Sequence, residues 1–137
     1  LKQKSGRGVF VSSVAGLLGT QYRASYSAAK AAIHMWANSL RAEVSKDGVE
    51  VSVVFPGFVK TNVSFNALNG EGKPQGHQDE AIENGLDADV FAQRVVEALM
   101  AGEEYVVVGG KKEQLGVLVS RLSPSLVYKM IRKTKVK

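Results

Sequence analysis

One long stretch of the chain, residues 26–46, contains no glycine or proline and lies between two short runs rich in valine and phenylalanine, "GVFVSS" at 8–13 and "VEVSVVFPG" at 49–57. The absence of breakers marks the long stretch as a helix. The β-branched and aromatic runs, each closed by serine or by Pro-Gly, mark the flanking segments as strands. Strand, helix and strand at these lengths form a βαβ unit with parallel pairing, which places the chain among layered α/β folds. Gly48 lies where the helix would reach its C-terminal cap. Along the helix Ser27, Lys30, His34, Asn38, Arg41 and Ser45 recur three or four residues apart, while Ile33, Trp36, Leu40 and Val44 mark an apolar stripe.

The pattern continues downstream. "DADVFAQRVVEALMAG" (87–102) has helical periodicity with Asp87 placed to cap it, and "YVVVGG" (105–110) reads as a third strand. Residues 62–86 are polar and glycine-bearing, so they form a long connection beyond the carboxyl end of the second strand. That edge of a doubly wound sheet is where ligands bind. A chain of 137 residues supports one domain with a moderate core. Its first residue is Leu1, and "KQKSGRG" follows as the tail of a helix turning into a strand, so the sequence is expected to be a piece of a longer chain.

Composition removes several function classes. No apolar run approaches the roughly 18 residues of a membrane-spanning helix. Zero cysteines exclude a disulfide framework and a thiolate metal site, and fit an intracellular setting, cytoplasmic or membrane-peripheral. His34 and His77 stand without carboxylates at ligand spacing, so no metal site is expected. The net charge of +5 is confined to one end: residues 1–110 carry 10 Lys/Arg against 12 Asp/Glu, and residues 111–137 carry 8 against 1. A slightly acidic body without aromatics interleaved among cations does not read as a nucleic-acid surface.

Tyr26 and Lys30 are one helical turn apart, so the ammonium stacks beside the phenol on one face. A free phenol titrates at about pH 10, too high for proton transfer at neutrality, and a neighbouring cation favours the phenolate form. Ala28, Ala29, Ala31 and Ala32 let another surface approach the backbone closely. Ser13 ends the first strand at the same carboxyl edge, where its hydroxyl could hold a substrate oxygen. Pro56 and Gly57 break the second strand there, leaving "GFVKT" free to wrap a planar ring. No acid–histidine partner accompanies Ser12 or Ser13, so a serine hydrolase lacks its base.

"SSVAG" (12–16), "YSAAK" (26–30) with its tyrosine thirteen residues after Ser13, and "PGFVKT" (56–61) after a hydrophobic strand together resemble the C-terminal half of a short-chain dehydrogenase/reductase. The resemblance covers about residues 5–110. It implies an α/β fold, the C-terminal part of a doubly wound, Rossmann-type parallel sheet in three layers (αβα), with residues 1–110 as that half-domain and 111–137 as a basic amphipathic segment of the same domain. It implies that Tyr26 exchanges a proton with the substrate oxygen, that Lys30 supports it and binds the nicotinamide ribose, and that Ser13 orients the carbonyl or alcohol. It further implies that Pro56, Gly57, Val59 and Thr61 hold the nicotinamide end of NAD or NADP. The choice between the two is not readable here. The substrate class would be a lipophilic carbonyl or alcohol, the hydride belonging to the cofactor, and the assembly a homo-oligomer.

Two departures accompany the resemblance. A glycine-rich phosphate loop after a first strand and an asparagine completing the proton relay have no match in these residues, and "GEG" at 70–72 follows no strand. The chain alone is therefore expected to bind a dinucleotide poorly and to lack activity. The alternative readings are a non-catalytic module retaining the fold and a membrane-peripheral binding protein. The latter rests on residues 111–137, where Leu115, Leu118, Val119, Leu122, Leu126, Val127, Met130 and Ile131 alternate with cations and Pro124 divides two short helices.

Overall fold

The computed structural model describes residues 4–133. Three parallel strands, β1 (Gly6–Val11), β2 (Val49–Pro56) and β3 (Tyr105–Val108), form one sheet in the order β1-β2-β3. Five helices connect and follow them: α1 (Ala24–Glu43), α2 (Glu80–Glu83), α3 (Ala88–Met100), α4 (Lys111–Leu122) and α5 (Pro124–Lys133), with a short 3-10 turn at Val14–Gly16. The α/β architecture expected from the strand–helix alternation is therefore present.

Side chains alternate across β2 and divide the core in two. Val51, Val53 and Phe55 face α1 and α4, packing with Ala37, Val44, Val14 and Val117. Val54 faces the other way and joins Val106 and Val108 against Phe91, Val95, Ala98 and Leu99 of α3. The result is three layers, helix on each side of the sheet. Burying Phe55 completely contributes about 2–3 kcal/mol from the apolar area removed from water. Both connections step the same way across the sheet yet lie on opposite faces, so they have opposite hands. The long 57–104 connection has the room to depart from the usual right-handed crossover.

Element ends differ from the sequence reading in ways that bear on function. β1 stops at Val11, because Ser13 turns out of the strand to cap the 3-10 turn. β3 stops at Val108, and Gly109 and Gly110 lead directly into α4. α1 ends at Glu43 with Val44 as its cap, so Gly48 is not the C-terminal cap. Gly48 instead opens β2 at φ +70°, where a Cβ would stand 2.5 Å from the Lys4 carbonyl oxygen. Only glycine fits both constraints. Asp87 does cap α3, accepting from the Asp89 amide at 2.9 Å.

The polar ridge of α1 turns toward the sheet. Lys30 Nζ donates to Val11 O, Arg41 donates to Val51 O and Glu104 O, and Asn38 bridges His34 and Arg41. Trp36 of the expected apolar stripe is 56% exposed and touches Phe10 only edge-on. The buried centre of the helix is Ala37, a residue small enough for α1 to settle on β2 while the longer polar chains reach strand carbonyls on either side.

Candidate active site

The carboxyl ends of the strands open into a cavity of about 380 Å³. Ser13, Thr20, Arg23, Tyr26, Thr61 and Glu113 supply its polar wall, and Val14, Ala15, Pro56, Phe58, Val59, Val63 and Ile82 its apolar wall. Ser13 follows β1 and is buried. Its Oγ accepts from the Ala15 amide at 3.1 Å and donates to Pro56 O at 3.5 Å. The second contact is at the limit of a hydrogen bond, so the hydroxyl hydrogen can turn toward a ligand oxygen.

Tyr26 stands in the first turn of α1, half exposed, with its ring in the cavity wall. Lys30 Nζ lies 5.8 Å from the centre of that ring and is held by Val11 O at 3.2 Å. Ser13 and Tyr26 thus meet in the cavity, whereas Lys30 stands behind Tyr26, outside the wall. The position of α1 is fixed by a close contact: a Cβ on Gly16 would stand 2.8 Å from the Lys30 backbone carbon, and Ser12 Oγ donates to Lys30 O at 2.7 Å. Ser12 is therefore structural.

At the end of β2, Gly57 approaches Gly109 so closely that a Cβ on Gly57 would be 2.9 Å from the Gly109 Cα. Beyond it Val59 forms a parallel bridge with Leu86, through Leu86 N to Phe58 O (2.9 Å) and Lys60 N to Leu86 O (2.8 Å). This pairing leaves the N–H and C=O of Val59 without protein partners among the described residues. Thr61 is exposed on the same wall, its Oγ1 accepting weakly from Val63 N at 3.4 Å.

Three contributors escaped the sequence reading. Glu113, in the first turn of α4, accepts from the Phe58 amide at 3.3 Å and so ties the turn after β2 to α4. Thr20 Oγ1 is enclosed in the wall and has no hydrogen-bond partner among the described residues. Arg23 pairs with Asp79 at 3.2 Å and draws the 62–86 connection over the cavity. That connection is ordered by Ser64, which is buried and bonds to Gln78 and the Asp79 amide. None of the three belongs to a spacing pattern: the partners of Glu113 and Arg23 are distant in sequence, and Thr20 is enclosed only by the folded wall.

His34 does not line the cavity. It packs edge-on against Phe55 and Tyr105, and burial, with Arg41 and Arg121 nearby, holds its pKa below the ordinary 6.5. Among the described residues no group of three His, Cys, Asp or Glu could hold a metal ion. A wider depression of about 600 Å³ lies at the opposite edge of the sheet, lined by Gly6, Arg7, Gly48, Glu50, Leu99 and Met100. Its charges are already engaged, since Arg7 pairs with Glu50 and donates to Leu99 O.

A profile of the family described as short chain dehydrogenase matches residues 1–71. The chain belongs to the short-chain dehydrogenase/reductase family. A Drosophila melanogaster protein, dehydrogenase/reductase SDR family protein 7-like, is 36% identical over the whole chain, and Xenopus laevis dehydrogenase/reductase SDR family member 7B is 34% identical. The chain spans only 42% and 44% of the lengths of these relatives. Among solved structures, a short-chain dehydrogenase from Burkholderia cenocepacia in complex with NADP superposes with a TM-score of 0.75 at 24% identity, covering 98% of this chain and 50% of that one. A relative from Burkholderia phymatum in complex with NAD gives 0.72 at 22% identity, covering 92% and 50%. The dehydrogenase/reductase fold thus assigns the three parallel strands to a Rossmann-type sheet. In it, "YSAAK" occupies the start of α1 and "PGFVKT" the turn leaving β2.

Proposed function

We propose that this chain carries the reaction-centre half of a nicotinamide-dependent oxidoreductase acting on a lipophilic carbonyl or alcohol. The observation that carries the reading is the convergence of the Ser13 hydroxyl, the Tyr26 phenol and the unpaired Val59 backbone on one cavity, with Lys30 one turn behind the phenol. The cofactor, NAD or NADP, supplies or accepts the hydride when bound. The cavity fits its nicotinamide end: the Gly57–Gly109 approach leaves a flat backbone wall, and the Val59 N–H and C=O match the complementary groups of a carboxamide. Pro56 and Thr61 would complete that wall.

In the reducing direction Tyr26 Oη donates its proton to the carbonyl oxygen as the hydride reaches the carbon; in the oxidising direction the phenolate takes the alcohol proton. Ser13 holds the same oxygen, which aligns the carbon. Lys30, anchored on Val11 O one turn behind the ring, would hold the nicotinamide ribose. The seven apolar wall residues exclude water and favour an apolar substrate. Met35 and Trp36, each 56% exposed on α1, support a homo-oligomer that covers this helix face.

The test is Tyr26→Phe in the complete protein, assayed for cofactor-dependent carbonyl reduction. A fall of about a hundred- to ten-thousand-fold with an unchanged melting temperature is expected. Unchanged turnover in the variant would overturn the assignment, and absence of turnover in the wild type would leave the non-catalytic module in its place.

A further inference from the structure

The outer faces of α4 and α5 carry no assigned role. Lys111, Leu115, Leu118 and Leu122 recur at helical spacing along α4, and all four are exposed, Leu122 by 78%. Leu126, Lys129, Met130 and Lys133 form a similar exposed stripe on α5, while Val127 between them is buried. Arg132 and Tyr128 extend the exposed surface. The one acid of the segment, Glu113, is turned inward onto the Phe58 amide. Among the described residues, the outward surface of the two helices thus combines leucine, methionine, tyrosine and cations with Gln114, Pro124 and Ser125, and holds no carboxylate.

We propose that this surface rests on an anionic membrane. Exposed leucines at helical spacing beside lysine and arginine match the boundary between acyl chains and acidic headgroups, and the absence of acids removes the repulsion that such a surface would impose. No helix among the described residues is long and apolar enough to cross a bilayer, so this contact is peripheral. It also places the cavity near the lipid. Gln21 Nε2 donates to the Ile131 and Arg132 carbonyls (3.3 and 3.2 Å), joining the end of α5 to the loop that carries Thr20 and Arg23 into the cavity wall. The same loop thus links membrane contact to the site, whatever reaction that site performs.

The experiment uses the complete protein and two vesicle types, phosphatidylcholine alone and phosphatidylcholine with phosphatidylserine, read by co-sedimentation at low and high salt. The wild type is expected to partition at least about tenfold more strongly onto the anionic vesicles at low salt, and to lose that preference at high salt. Lys129→Glu with Lys133→Glu should abolish the preference. Leu118→Ser with Leu122→Ser should weaken binding to anionic vesicles at both salt concentrations. Equal partitioning of wild type and variants onto both vesicle types overturns the proposal. So does a change in sedimentation velocity without lipid in either variant while vesicle binding stays constant, because the surface would then be a contact between copies. The membrane result is independent of turnover, so failure of the Tyr26→Phe test leaves it standing.

Discussion

Both edges of the sheet are concave, with depressions of about 600 Å³ at the amino-terminal edge and about 380 Å³ at the carboxyl edge. At the amino-terminal edge Arg7, Glu50 and the Leu99 carbonyl satisfy one another. At the carboxyl edge the Ser13 hydroxyl bonds weakly, Thr20 Oγ1 has no hydrogen-bond partner, and the Val59 amide and carbonyl remain unpaired among the described residues. The difference teaches that volume does not make a site. A site needs polar groups held in place by neighbours without being consumed by them, and the strand-to-helix turns at the carboxyl edge provide this by directing several backbones to one point.

Substitutions at the two edges can break that contrast. After the large loss expected for Tyr26→Phe, the next largest effect belongs to Gly57→Ala, because the new Cβ meets the Gly109 backbone. We expect a loss of about 1–3 kcal/mol in denaturant unfolding of the complete protein, together with weaker cofactor binding. Wild-type values for both would remove the close approach from the account of the site. Glu113→Ala comes next: loss of the acceptor for the Phe58 amide should raise the cofactor KM about two- to tenfold with little change in kcat, and Glu113→Gln, which still accepts, should restore it. A fall in kcat with an unchanged KM would contradict this positioning role.

Arg7→Gln examines the other edge. The half-exposed pair with Glu50 is worth about 1 kcal/mol or less, and kcat/KM should match the wild type. A substantial kinetic defect would show that the amino-terminal edge participates after all. The smallest effect concerns His34, between the edges. Its folded pKa lies below the unfolded 6.5, so the unfolded chain binds the proton first and stability falls as pH drops through 6.5 toward the lowered value. Melting temperatures of wild type and His34→Gln should therefore converge across that window. Parallel curves would assign the dependence to another group.

Much of the candidate site's geometry was legible because its main parts are local. Ser13, the Tyr26–Lys30 turn and Pro56–Gly57 each sit at the end of a strand or the start of a helix, where spacing alone dictates which groups share an edge. Glu113, Thr20 and the Arg23–Asp79 pair were not legible, because these groups come together only when the 62–86 connection and α4 close around the cavity. Gly48 was misplaced for the same reason: a close approach to the Lys4 carbonyl requires it, and no helix-ending pattern contains that contact.

The sequence by itself determined the order of the three strands with α1, α3 and the two terminal helices, the parallel pairing and the helix-turn juxtaposition of Tyr26 with Lys30, since these follow from periodicity and breakers over short distances; the short α2 in the 62–86 connection carried no such signal. Only the tertiary structure decided which face of α1 meets the sheet. The helix turns Lys30, His34 and Arg41 inward and leaves Trp36 half outside, because strand carbonyls at Val11 and Val51 accept the polar ridge and the small, fully buried Ala37 lets α1 settle on β2. Hydropathy along one helix cannot register acceptors that another strand supplies.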